Sequence, residues 1–364
     1  MKTVGIINFH MAYNYGSVLL AYAITRVVKD LGADCKIINY QPKKQIDSYQ
    51  LPVTTGRHCI KKIIERICWI PYLKEMKKKY QLFDEFRAKY IPQTPYTNNP
   101  EEITDVCGTF DYVMAGGDQI WNPRCAEFEW TYYLDFVKEG RKIAYATSIG
   151  TIGTKEWNKD VVEHIKESVS SFYGVAIREN QINHLINSNF PIVLDPTMLI
   201  SQEEWNSLAG EQPIVKGNYI FYYDPFDMPD SIKYTKEIAR DKIAKLVSSN
   251  IYMILKADRK TFDYHLSVGP KEFLNLIKYA KLCVGHSFHL AIFSLIFRKN
   301  FQIENGLTDS RTSELLNRLS RNREYLYTRN NHIQVEENFY DSIFEEQISI
   351  ERKRSIEELK KMLS

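Results

Sequence analysis

Apolar positions along the chain fall into short runs separated by longer stretches of helical period. Thr3–Asn8 (TVGIIN) is a run suited to a buried parallel strand. After a polar loop, His10–Gly16, apolar residues return at Leu20, Ile24, Val27, Val28 and Leu31. That spacing predicts a helix from about Ser17 to Leu31. Gly32 stands where it closes the helix, and Asp34–Tyr40 (DCKIINY) supplies the next strand. Such a β-α-β unit implies a parallel sheet with ligands at the carboxyl ends of its strands. Asp111–Gly117 (DYVMAGG) is a strand running into glycines, Arg141–Gly150 another strand, and Trp157–Ser171 an amphipathic helix. The first layer is expected to end near residue 172.

The pattern then restarts. Strands are expected at Tyr173–Ile177, Pro191–Leu194, Asn218–Tyr223, Ile251–Lys256, Leu282–Gly285 and Phe301–Glu304. Helices are expected around Asp230–Val247, Pro270–Ala280, Phe288–Lys299 and Ser310–Leu319. This alternation predicts a second doubly wound sheet. The fold class is therefore α/β, with two Rossmann-like domains (1–172 and 173–364) whose parallel sheets face a cleft. Tyr340–Leu363 reads as a mixed-charge helix packed across both domains.

Composition narrows the function. The 364 residues suffice for two cores, and 44% apolar with 26% charged residues is a soluble globular balance. A net charge of +3 argues against nucleic acid as the main partner. The six cysteines form no C-x-x-C pair and no metal spacing, so they read as thiols in a reducing compartment. The start of the chain lacks the features of a signal peptide, and no apolar run is long enough to span a bilayer. The expected location is cytoplasmic. Contact with the inner face of the membrane stays open through Arg57–Lys79, which carries eight Lys/Arg against two acids around Cys68–Leu73. The alternative is a solvated helical insertion with a buried stripe.

Candidate chemistry lies just past the strand ends. Ser287 reads as a helix N-cap, which puts His289 in the first turn beside an anion-binding corner. A core or capping role for His289 fits the same pattern, because Phe293 and Ile296 follow at helical spacing. Asn14-Tyr15-Gly16-Ser17 is not G-x-G-x-x-G; it presents Asn14 and the Gly16 and Ser17 amides to an anion or sugar, or it merely caps a helix. Gly117, Asp118 and Asn122 follow the third strand. Arg178 either holds an anion or pairs with Glu179 or another acid at the sheet end, and Arg311 has Asp309 as a local partner. Asp195, before Pro196, reads as a turn or cap. His286 and His289 alone are too few for a metal site.

Eight segments in order are NYGSVLLAYAI (Asn14–Ile24), AGGDQIWNP (Ala115–Pro123), YATSIG (Tyr145–Gly150), AIREN (Ala176–Asn180), VLDPTMLI (Val193–Ile200), VGPKEFLNLIKYA (Val268–Ala280), SFHLAIFSLIF (Ser287–Phe297) and DSRTSELLNRL (Asp309–Leu319). Together they resemble the polysaccharide pyruvyl transferase family. Two positions depart from its pattern: Leu290 stands where Gly is frequent, and His286 where a small or acidic residue is usual. A bulky Leu290 either narrows the pocket or reflects another acceptor.

The resemblance implies a GT-B-like pair of domains, the first on the acceptor side and the second on the donor side. It implies transfer of a pyruvyl group from phosphoenolpyruvate onto two hydroxyls of a sugar, giving a cyclic ketal and phosphate, with no cofactor or metal. The acceptor would be a bacterial capsule, exopolysaccharide or cell-wall glycan, often lipid-linked. His289 would carry the proton, and Asp118 would orient or deprotonate an acceptor hydroxyl. Arg178, Arg311, Ser287 and His286 would bind the donor; Asn14, Tyr15, Gly16, Ser17, Gly117 and Asn122 would bind acceptor or phosphate. The chemistry asks for a group titrating near neutrality and for planar cations facing a carboxylate and a phosphate. A glycosyltransferase using a nucleotide-sugar is the nearest rival, and a non-catalytic glycan-binding component of a polysaccharide-assembly complex the next.

Overall fold

The computed structural model describes residues 1–51, 67–107, 110–138, 140–150, 157–225, 229–242, 244–250, 261–304, 306, 308–320, 327–329 and 332–364. The strands are β1 (Thr3–Ile7), β2 (Asp34–Ile37), β3 (Tyr112–Asp118), β4 (Arg141–Thr147), β5 (Gly174–Ile177), β6 (Tyr219–Tyr223), β7 (Lys245–Ser248), β8 (Asp263–Tyr264), β9 (Leu282–Gly285), β10 (Phe301–Ile303), β11 (Tyr327–Arg329) and β12 (His332–Val335). They form two sheets, ordered β2-β1-β3-β4-β5 and β11-β12-β10-β9-β6-β7-β8. The first is parallel throughout. In the second, β12 runs antiparallel to β10 and β11, and the other pairs are parallel. β3 is buried along its whole length, as a strand covered on both faces must be, which explains why it reads as an unbroken apolar run.

Helix Tyr15–Asp30 lies between the sheets. Every residue from Tyr15 to Thr25 is buried, the sign of a helix with neighbours on all sides. One apolar core runs through it from β1 to β6, β9 and helix Phe288–Ile296. The Tyr15 ring stacks on Phe273 with centroids 4.3 Å apart. Tyr22 and Phe293 both meet Trp205 edge-on.

The structure corrects several expectations. β5 pairs in parallel with β4, so the first sheet continues past residue 172 rather than ending there. The 191–194 run joins that same edge by one bridge, Ile177 with Ile192, and forms no strand of its own. The helix expected over Asp230–Val247 ends at Lys242, and Lys245–Ser248 is β7; the short apolar run Leu246–Val247 completes a buried strand rather than a helical stripe. The strand expected at Ile251–Lys256 lies outside the described residues. The first helix begins at Tyr15, two residues before the expected start, because Asn14 is its cap.

The last helix, Ser342–Met362, crosses back onto the first sheet. Tyr145 donates its hydroxyl to the Ser355 carbonyl at 2.9 Å, and Ser355 Oγ accepts the Leu194 amide at 2.9 Å. Among the described residues no helix is long and apolar enough to cross a membrane.

Candidate active site

Two helix N-termini, one from each half, meet at His289. Asn14 caps the first, its Oδ1 accepting the Gly16 amide at 2.9 Å. Ser287 caps the second, its Oγ accepting the Leu290 amide at 3.4 Å. A Cβ added to Gly16 would lie 2.1 Å from His289 Nδ1, so only glycine lets the ring sit there. Both helix ends carry partial positive charge, which draws anions to this corner.

The other ring nitrogen, Nε2, faces Asp195 Oδ2 at 3.7 Å. Asp195 is the hub of the site. Its Oδ1 accepts the amide and hydroxyl of Thr197 at 3.0 and 2.7 Å, and its Oδ2 accepts Arg178 Nη1 at 2.9 Å. Burial pushes the Asp195 carboxyl up, but His289, Arg178 and Thr197 together hold it well below the usual carboxylate range. Sequence reasoning gave Asp195 a turn or cap role. It does cap the turn at Pro196–Leu199, and its second oxygen does the rest.

Arg178 comes from the end of β5 and is buried against the Phe288 ring, 4.6 Å from its centroid. Of the acids open to it at the sheet end, Asp195 pairs tightly and the others loosely: Arg178 Nε lies 3.6 Å from Glu179 Oε2, and Nη2 lies 3.9 Å from Asp118 Oδ1. Arg178 Nε and Nη2, Glu179 Oε2, Thr147 Oγ1 and His289 Nε2 are all buried without a hydrogen-bond partner. Buried polar atoms are nearly always bonded, so this concentration at the strand ends makes the corner the candidate site for a polar ligand. Burial pushes the Glu179 carboxyl up, and its other oxygen accepts the Ser148 hydroxyl at 2.5 Å.

Gly117 and Asp118 both have positive φ, 78° and 62°. Asp is among the few L residues that tolerate this conformation. The turn brings Asp118 Oδ2 to Ser17 Oγ at 2.7 Å and Oδ1 to the Gln119 amide at 2.8 Å. Asp118 and Ser17 thus bond each other, at the mouth of the same corner.

Other expected residues are turned elsewhere. The Tyr15 hydroxyl is buried and donates to the Val268 carbonyl at 3.1 Å, so it faces the core between the halves rather than a ligand. Asn122 is spent inside its own turn, donating to Gln119 Oε1 and accepting the Arg124 amide. Arg311 forms a two-point pair with Asp309, both contacts at 2.9 Å, which takes up the fork expected to grip the donor; its guanidinium lies 5.3 Å from the Phe288 centroid. Leu290 is fully buried in the apolar core. His286 is half-buried at the end of β9.

Glu127 escaped the sequence reading. It sits in the loop after Asp118 with Gln45 Nε2 at 3.4 Å, and burial, helped by the Asp118 charge, pushes its carboxyl up to about 7. No periodic signal marks such a loop residue.

Comparison with known proteins completes the description. The Methanocaldococcus jannaschii UDP-GlcNAc 2-epimerase, in complex with UDP-GlcNAc and UDP, matches with a TM-score of 0.53 at 14% identity, over 100% of this chain and 99% of that one. The S. aureus MnaA–UDP structure gives 0.49 at 10% identity over 100% and 91%. The E. coli heptosyltransferase WaaC with ADP gives 0.39 at 11% identity over 82% and 86%. The architecture, shared with the M. jannaschii epimerase, is that of the GT-B fold. No curated protein sequence matches significantly. The model of the polysaccharide pyruvyl transferase family, however, matches residues 14–301, from the cap of the first helix to the start of β10, and the chain therefore belongs to that family of transferases.

Proposed function

We propose that this transferase moves the pyruvyl group of phosphoenolpyruvate onto two hydroxyls of one sugar in a bacterial surface polysaccharide or its lipid-linked precursor. The supporting observation is His289, carried by the second half and wedged between Gly16 of the first half and Asp195, with unbonded Arg178 N–H groups beside it. The donor is a small acid with a carboxylate and a phosphate. Arg178 Nε and Nη2 supply a planar pair of donors for one of these groups, and the two helix N-termini receive the other. Glu179 lies beside Arg178, with its Oε2 3.6 Å from Nε, and helps to hold that guanidinium in place.

In the reaction two C–O bonds form at C2 of the enolpyruvyl group and the C2–O–phosphate bond breaks. The proton of one sugar hydroxyl ends on C3, making the methyl group, and the proton of the other leaves with phosphate. His289 carries these protons, Asp195 stabilises its charged form, and Asp118 receives or orients the acceptor hydroxyl.

The test is phosphate release from phosphoenolpyruvate with a panel of glycan acceptors. His289→Ala is expected to reduce it roughly 10²–10⁴-fold with the circular dichroism spectrum unchanged. Wild-type turnover in that variant removes His289 from the mechanism. Thermal stabilisation by UDP or ADP but not by phosphoenolpyruvate would instead favour sugar-nucleotide chemistry, the class handled by the epimerase that shares the fold.

A further inference from the structure

A cavity of about 620 Å³ lies between the start of helix Leu73–Tyr90 and the segment leading from β8 into helix Pro270–Tyr279. That volume is ordinary for a small-molecule site. Its walls include Tyr72, Glu75, Tyr264, His265, Ser267 and Glu272, and among the described residues that line it there is neither Lys nor Arg. Glu75 Oε2 is shielded from solvent without a hydrogen-bond partner. Glu272 is fixed by the Gly269 amide at 3.0 Å, and His265 Nε2 lies 3.1 Å from Asp263 Oδ2. The apolar floor adjoins a small core of Trp69, Met76 and Leu266.

We infer that this cavity binds a neutral sugar unit of the acceptor glycan, away from the unit that reacts. The inference rests on the pyruvyl-transfer reading. The carboxylates of Glu75 and Glu272 disfavour phosphate and nucleotide, whereas they accept hydrogen bonds from the hydroxyls of a sugar. Tyrosine rings offer the apolar faces against which a pyranose packs. The position suits a glycan reaching the active site. Val268, in the cavity wall, accepts the Tyr15 hydroxyl, and the next residue, Gly16, abuts His289. The Tyr15–Gly16 segment therefore connects the cavity wall to the corner that holds His289.

The experiment is saturation-transfer NMR on the full chain with cellobiose, lactose and chitobiose as probes, UDP as comparison, and phosphoenolpyruvate thermal shifts on the same samples. At least one disaccharide is expected to receive saturation. Ser267→Trp, which fills the cavity, is expected to abolish it, and Tyr72→Ala, at the rim, to weaken affinity at least fivefold. Silence from all three disaccharides, wild-type affinity in Tyr72→Ala, an unchanged signal in a folded Ser267→Trp, or saturation of UDP alone would each overturn the inference. A normal phosphoenolpyruvate shift without a sugar signal removes this site and leaves pyruvyl transfer standing. A sugar signal lost on filling the cavity, with no phosphoenolpyruvate shift, does the reverse.

Discussion

At the scale of single residues, the position most constrained by space is Gly16. Its missing side chain makes room for an imidazole from the other half. Alanine suits a first helical turn better than glycine does, so Gly16→Ala should fold. The ring must then move by an ångström or more, and such misplacement lowers turnover by about 10²-fold; phosphate release with circular dichroism as control checks this. Two carboxyls give opposite pH slopes. Glu127 has a folded pKa raised to about 7, so its contribution to stability is complete below the unfolded value and is lost as pH rises toward 7. Asp195 is depressed, so its contribution is present above the unfolded carboxylate value and is lost as pH falls below about 4. Urea midpoints across pH should therefore lose their decline between about pH 4.5 and 7 in Glu127→Gln. Their steep acid limb should flatten in Asp195→Asn. Unchanged profiles would contradict the burial and pairing that shift these groups.

At the scale of elements, what the sequence made legible was whatever repeats. Helix Tyr15–Asp30, strands β1, β3, β4 and β9, and the cap at Ser287 all follow from period and capping residues. Partnership is not periodic. Nothing in Gly174–Ile177 says which sheet it joins, and nothing in Leu194-Asp195-Pro196 says that the carboxylate meets an arginine and a histidine from distant segments. Arg311 shows the converse, a motif residue whose nearest acid two positions earlier takes its hydrogen bonds. The basic stretch ending at Lys79 shows a third limit. Its residues 57–66 lie outside the described part. Beyond them, Trp69 is buried while Ile67 and Ile70 are 60% and 62% exposed beside the exposed Lys74, Lys77 and Lys78. Lys79 does not belong to that surface. Its ammonium lies 4.7 Å from the Tyr15 ring, and burial lowers its pKa to about 8. Each lysine near an anionic bilayer contributes roughly 1 kcal/mol. If this face meets a membrane rather than only solvent, a Lys77→Glu, Lys78→Glu double variant binds phosphatidylserine vesicles at least tenfold more weakly than the wild type, while Lys79→Gln binds as wild type. Equal binding by the double variant and the wild type would remove this face as a membrane contact.

At the scale of the whole molecule, the two sheets are held as one body by a shared core and by the returning last helix. Tyr15, Tyr223 and Phe273 lock the first helix to the second sheet, while the Ser342–Met362 helix ties the end of the chain to β4 and to the segment carrying Asp195. The Lys2 ammonium donates to the Leu363 carbonyl, which ties the segment before β1 to the end of the last helix. The active-site corner is built from both halves, and a proton carrier supported on one side by Gly16 and on the other by Asp195 works only while they stay in register. Unfolding should therefore be a single calorimetric transition, with no separate melting of the halves. Ser355 tests this, because its Oγ is the acceptor for the buried Leu194 amide. Ser355→Ala leaves that amide unbonded, and a buried orphan of this kind costs about 1–3 kcal/mol. If the halves are thermodynamically coupled, the whole transition moves to lower urea concentration and remains single whether followed by tryptophan fluorescence or by circular dichroism. Two transitions in the variant, one of them at the wild-type midpoint, would mean that the last helix braces only its local contacts and that the corner around His289 is held together by the core alone.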